Sequence, residues 1–171
     1  MLIKSCNIRG KVNVMSISIL ENNLTKGFIA FSLLVGLLLA LSPAHAVPPV
    51  NYAPGVTLKG YDAVAYFTEG KPVKGSKKYE SEWMGARWYF SSAENLALFA
   101  KNPERYSPQY GGYCAYAVSQ GITADIDPKA WKIVAGKLYL NLSPGVARIW
   151  ERDIPGYIAK ATKNWPTLKD K

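Results

Sequence analysis

The chain has 171 residues, and 21 Lys and Arg against 12 Asp and Glu give it a net charge of +9. Eleven tyrosines and five tryptophans supply a packed core and exclude a disordered polar chain. The lysines are thinly spread, at Lys71, Lys74, Lys77, Lys78, Lys129, Lys132, Lys160 and Lys163, with no Arg-rich stripe, so the basic balance reads as a solvated surface and not as a nucleic-acid face.

At the N-terminus Lys4, Arg9, Lys11 and Lys26 precede an uncharged apolar run, Phe28 to Leu41, that ends at Ser42-Pro43-Ala44-His45-Ala46. A basic region, a short apolar core and an Ala-x-Ala site describe a secretory leader. Fourteen helical residues rise about 21 Å, short of a bilayer core of about 30 Å, so the run does not read as a membrane anchor. A cleavable signal peptide over residues 1–46 is expected, with translation starting at Met1 or Met15. The processed protein would be periplasmic or secreted, with no stable membrane anchor.

Cleavage after Ala46 leaves 125 residues (171 − 46), which suits one domain. Lys and Arg then number 17 (21 − 4) and Asp and Glu 11 (12 − 1), for a net charge near +6. The leader also carries away His45, the only histidine, and Cys6, leaving Cys114 as the one thiol. That excludes histidine-based acid–base catalysis, an intrachain disulfide and a zinc site built from several Cys or His ligands.

Residues 47–56 are Pro-rich and polar and are expected to form an exposed arm. Val64 to Phe67 is short and apolar, a first strand. Lys78–Trp83 and Arg87–Phe90, flanking Met84-Gly85-Ala86, read as a β-hairpin. A Ser with Glu three residues later, Ser91 and Glu94, is a capping box, opening a helix from about Ser92 to Lys101 that stops at Asn102-Pro103. Pro103 to Tyr106 is a further short turn. Asp127-Pro128 resembles a helix start. Trp131–Val134 and Lys137–Leu142, around Ala135-Gly136, form a second hairpin. Ser143-Pro144 opens a helix through Trp150, Pro155-Gly156 interrupts it, and Tyr157 to Trp165 resumes a helical pattern. No internal repeat is evident. The fold expected is α+β: one small domain of two β-hairpins with short helices packed on them, over residues 57–166, followed by a tail, 167–171.

Asp62-Ala63-Val64, Trp88-Tyr89-Phe90-Ser91-Ser92, Phe99 and Asn102-Pro103-Glu104-Arg105-Tyr106 resemble the YHS domain. A longer frame adds Gly60 to Phe67, Tyr110-Gly111-Gly112-Tyr113-Cys114-Ala115 and Asp153-Ile154-Pro155-Gly156-Tyr157, and is similar to the exported bacterial YHS-domain (seleno)proteins. The resemblance implies a small domain of a kind that accompanies metal-handling proteins such as copper-transporting ATPases. It also implies cysteines at places where this chain has Ala65 or Tyr66, Ser91 and Asn95. Some members of the exported group carry selenocysteine where Cys114 stands, which singles out this residue as a redox thiol.

On that reading Cys114 is the catalytic residue, supported by Gly111, Gly112, Tyr113 and Tyr116, and it exchanges with an external thiol or disulfide partner. The glycine N–H groups would favour the thiolate, and Arg87 or Arg105 would help by motif proximity. The alternatives are a buried structural cysteine and a binding module without catalysis for copper or a small ligand. Cys114 and Met84, the only methionine after the leader, are the sole soft donors for copper. Asp125 and Asp127 read as a turn and a cap in place of a carboxylate pair. Trp83, Trp88, Tyr89, Phe90, Trp131 and Trp150 read as core in place of a ligand pocket.

Overall fold

The computed structural model describes residues 49–52 and 55–169, and the expected leader lies outside them. The fold is α+β, with two antiparallel hairpins and short helices. A left-handed turn, Thr57–Gly60, leads into α1 (Ala65–Thr68), the hairpin of β1 (Ser76–Trp83) and β2 (Ala86–Phe90), α2 (Ala93–Lys101) and α3 (Pro103–Tyr106). The chain then does the same again. A left-handed turn, Gln109–Gly112, leads into α4 (Ala115–Ser119), the hairpin of β3 (Asp127–Val134) and β4 (Lys137–Asn141), and α5 (Pro144–Trp150). A 3₁₀ turn, Glu151–Asp153, joins α5 to the long last helix, α6 (Ile154–Lys169).

The two passes agree in detail. Ser76 pairs with Phe90 and Asp127 with Asn141, each 51 residues further on (127 − 76, 141 − 90). Both ladders then break at the same place and resume at Glu80 opposite Tyr89 and at Trp131 opposite Leu140. Both hairpins turn on two residues of positive φ, Met84-Gly85 and Ala135-Gly136, a turn whose backbone twist matches the right-handed twist of the strands. Ser92 and Ser143 cap the helices that follow, accepting the N–H of Asn95 at 3.1 Å and of Val146 at 3.2 Å. Both opening turns hold three successive residues at positive φ: Leu58, Lys59, Gly60 and Tyr110, Gly111, Gly112. The expectation of no repeat is therefore corrected. The domain is one supersecondary unit built twice.

Three elements differ from the sequence reading. Val64–Phe67 is helical and not a strand, because Asp62 Oδ1 accepts the N–H groups of Val64 and Ala65 at 2.8 and 3.2 Å and so caps a helix. A short apolar run buried on all sides carries no period to tell the two apart. Asp127-Pro128 opens β3 and not a helix. Asp127 Oδ1 accepts the Lys129 N–H at 2.9 Å, and Pro128 sits in the irregular stretch of the ladder, where a missing N–H is tolerated. Ser91 is not the cap of α2; Ser92 takes that position, and Ser91 turns its hydroxyl to Asp62.

The ends also differ. Val50 of the expected exposed arm is buried, and the Asn51 N–H donates to the Gly111 carbonyl at 2.8 Å. A side chain on Gly111 would strike the Pro49 carbonyl, so this glycine serves both a positive φ and a close approach. The helix after Pro155-Gly156 is not interrupted but begins there, both residues lying in its first turn. It continues through residues 167–169 of the expected tail, where Leu168 is buried.

One apolar cluster joins the two passes: Trp88, Phe90 and Phe99 with Cys114, Ile126, Leu138 and Leu140. A second, under α6, gathers Tyr110, Val118, Tyr139, Trp150, Ala161 and Leu168. Of the six aromatic side chains considered for a ligand pocket, Trp88, Phe90 and Trp150 are buried in these clusters, and Trp83 and Trp131 pack against the first.

Candidate functional site

The repeat places Asp62 and Cys114 in equivalent seats. Each follows a Gly-Tyr pair, Gly60-Tyr61 and Gly112-Tyr113, and precedes a short helix. The Asp62 N–H donates to the Val73 carbonyl at 2.9 Å and the Cys114 N–H to the Ala124 carbonyl at 3.0 Å. Each side chain also satisfies N–H groups at the start of its helix, which have no partner within the helix.

The two seats differ in strength. Asp62 is fully buried, and its carboxylate accepts five hydrogen bonds. Beyond the two helix N–H groups, Oδ2 accepts the Ser91 N–H at 2.8 Å, the Ser91 hydroxyl at 2.6 Å and the Asn95 amide at 2.7 Å. A buried carboxylate is tolerated only when it is paired or bonded in this way. Cys114 is 1 % exposed; its thiol donates to Asn141 Oδ1 at 3.7 Å, and Sγ accepts the Ala117 N–H at 3.5 Å. Asn141 Oδ1 also accepts the Tyr116 N–H at 3.2 Å.

The residues expected to support the thiol also make contacts of their own. The carbonyls of Gly111 and Gly112 accept from the Asn51 backbone and side chain. Tyr113 packs against Trp165 with ring centres 6.0 Å apart, and burial, then the nearby Tyr52, raises its pKa above the ordinary phenol value. Tyr116 packs edge-on against Tyr157 at 5.2 Å. Arg87 donates to the Gly55 carbonyl at 3.3 Å, and Arg105 lies over the Tyr106 ring.

The donors do not fit copper. Met84 is 52 % exposed at the tip of the first hairpin, whereas Cys114 lies in the core. The positions where the resemblance implies cysteines hold buried Ala65 and Tyr66 and the Ser91–Asn95 pair, already spent on Asp62. Among the described residues no three His, Cys, Asp or Glu side chains gather as a metal cluster.

Sequence reasoning did not anticipate a cleft beside the Cys114 turn. It holds about 480 Å³ and is lined by Asn51, Tyr52, Gly55, Tyr113, Thr123 and Asp125 among others. Its lining is mostly apolar, with Asp125 as its charged group. Asp125 stands just past the Ala124 carbonyl that receives Cys114. Lys59 Nζ lies 2.8 Å from Asp125 Oδ2, and Asn51 donates to Oδ1 at 3.2 Å. Burial pushes the Asp125 carboxyl up, but the bonds from Lys59, the Ile126 N–H and Asn51 outweigh it and hold the group below the ordinary carboxylate value. The advance signals were Asp125, which reads as part of a turn, and Tyr113, which reads as support for the thiol.

Residues 64–110 match the family model of the YHS domain. The match begins at Val64, just before α1, covers the first pass of the repeat without its opening turn and Asp62, and ends at Tyr110, in the turn that opens the second. No curated protein and no solved structure matches the chain. Among the described residues no helix is long and apolar enough to cross a membrane.

Proposed function

We propose that this YHS-domain chain is exported by its N-terminal leader and serves as a small-ligand binding module without catalysis. The cleft at Tyr52, Tyr113 and Asp125 carries this reading: it is concave, mostly apolar and furnished with one carboxylate, the usual make-up of a ligand site. The exported address rests on the basic region, apolar run and Ala-x-Ala site of residues 1–46. Burial of Cys114 and its bonds to Asn141 and Ala117 weigh against a thiol-redox centre, because a nucleophilic thiolate needs access and an electropositive setting.

Protein purified after expression of the full chain, labelled with ¹⁵N, is titrated with a set of neutral, cationic and anionic aromatic fragments. Amide shifts gathered at Gly55, Tyr113, Thr123 and Ala124 are expected. Fragments that move no amide around the cleft would overturn the reading.

A further inference from the structure

A second concavity lies at the tip of the first hairpin. It holds about 200 Å³ and shares no lining residue with the cleft at Asp125. Trp83, Trp88 and Trp165 line it, together with Pro108, Met84 and Lys169. Its aromatic walls are fixed by contacts outside it. The Trp88 indole donates to the Trp83 carbonyl at 3.1 Å, Trp83 packs edge-on against Phe99 at 5.9 Å, and Trp165 against Tyr110 at 6.1 Å. The pocket belongs to one copy only. Counting 51 residues on, the second pass has Val134, Ala135 and Tyr139 in place of Trp83, Met84 and Trp88. Met84 is 52 % exposed and lies at φ 52°, where Gly or Asn is the ordinary choice. Alanine makes the same turn in the other hairpin, so the frame does not require a long apolar side chain at this tip.

Size and charge narrow what such a pocket takes. An apolar cavity of about 150 Å³ accepts one benzene molecule, so this one admits a single ring with a small substituent. Lys169 is the charged residue of its wall, and no carboxylate lines it. Lys169 follows Trp165 by four residues on α6, so the two share a face, and helical side chains lean towards the N-terminus, which carries the Lys169 stem back over Trp165. Among the described residues Lys169 has no ion pair, and the indole N–H groups of Trp83 and Trp165, which can only donate, have no acceptor. We propose that this pocket binds a small aromatic carboxylate, its ring among the three tryptophans and its carboxylate at the Lys169 ammonium. The site is independent of the cleft at Asp125 and selects the opposite charge.

The test uses ¹⁵N-labelled protein from the full chain and three probes of one ring each: benzoate, benzyl alcohol and benzylammonium. The indole N–H signals of Trp83, Trp88 and Trp165 and the amides of Val50 and Gly111 are expected to shift. Benzoate should bind about threefold to fivefold more tightly than the alcohol, the scale of an exposed ion pair. Lys169→Met keeps the apolar stem and should abolish that preference while leaving the alcohol's affinity within about twofold. Met84→Asn suits the positive φ and removes the apolar rim, so all three probes should weaken together by about threefold, one buried methylene's worth. Benzylammonium binding as tightly as benzoate, or a preference for benzoate that survives Lys169→Met, would overturn the carboxylate assignment. Unchanged affinities in Met84→Asn, or no shift of the three indole signals with any probe, would overturn the site. Amides at Gly55, Thr123 and Ala124 report on the other cleft, so either reading can fail alone.

Discussion

If Asp62 and Cys114 hold equivalent seats of unequal strength, their replacements should cost very different amounts. Asp62→Ala removes an acceptor of five hydrogen bonds and leaves the Asn95 amide, the Ser91 hydroxyl and three backbone N–H groups seeking partners in the core. A hydrogen bond to a charged group contributes about 1.5–3 kcal/mol, but members of one network are not additive. Breaking a buried charged network by removing one partner costs about 3–5 kcal/mol, so about 4 kcal/mol is expected here. Cys114→Ala loses two weak bonds, at 3.7 and 3.5 Å, and one sulfur's worth of packing, about 1 kcal/mol. Cys114→Ser keeps a donor and an acceptor in the same place and should cost no more.

Urea unfolding followed by tryptophan fluorescence reads both. With a slope of about 1.5 kcal/mol per molar, Asp62→Ala lowers the midpoint by roughly 2.7 M and Cys114→Ala by under about 0.7 M. Against a total stability of about 5–15 kcal/mol, the Asp62 variant stands at the edge of folding. Asp62→Asn keeps one oxygen for the helix N–H groups but turns an NH₂ towards Ser91 and Asn95, so an intermediate loss is expected. Equal losses for Asp62→Ala and Cys114→Ala, or a larger loss at Cys114, would refute the reading of the two seats.

Three further outcomes follow from burial and from the leader. Cys114 should react with iodoacetamide at least about a hundredfold more slowly in the native protein than in urea, because access waits on local opening; comparable rates would return the thiol to candidacy as a redox centre. Tyr66, Tyr110 and Tyr139 have their pKa raised above the ordinary 10.0 first by burial, as Tyr113 does, so folding favours their neutral form. The stability they lend is complete below pH 10 and is lost as pH rises through their folded values. Absorbance titration should therefore find these four tyrosines resisting ionisation until the protein unfolds, whereas all eleven tyrosines titrating as one class near 10 would contradict the packing. Expression of the full chain in an exporting bacterial host should give a mature N-terminus at Val47 by mass spectrometry; recovery of the chain from Met1 or Met15 would remove the export proposal.

Much of the fold was legible because it is written in local signals. The hairpins show aromatic alternation around Met84-Gly85 and Ala135-Gly136, and Ser143 stands as a cap before an apolar face. The illegible parts depend on contacts made elsewhere. Val64–Phe67 turns helical because Asp62, two residues ahead, bonds to its amides. The first residues of α6 include Pro and Gly, which punctuate a sequence as loops do, and its helical character comes from burying Ala161 and Leu168. The repeat escaped notice because its core seats exchange residue types: Trp88 for Tyr139, Phe90 for Asn141, Phe99 for Trp150, Asn95 for Val146. What the copies share is sparse, Gly60-Tyr61 and Ala63 against Gly112-Tyr113 and Ala115, then one turn glycine and one capping serine each. Their near-constant spacing, 52 residues from Gly60 to Gly112 and 51 from Ser92 to Ser143 (112 − 60, 143 − 92), was the available signal.

The duplication also bears on two readings of the Gly-Gly-Tyr-Cys stretch. Taken alone, a lone cysteine after paired glycines resembles an activated thiol. Its counterpart is Lys-Gly-Tyr-Asp, whose acidic residue is a closed structural hub. The glycines answer to the left-handed turn that both copies make, and Gly111 also to the approach of Pro49. The polar atom after the tyrosine answers to the helix that follows, whether it is oxygen or sulfur. Those features belong to building the unit, and both copies need them. Function is free to enter where the copies part without loss of the frame, on the surface beside the shared tyrosine. There Lys74 lies over Tyr61 in one copy, and Asp125 lines a cleft in the other.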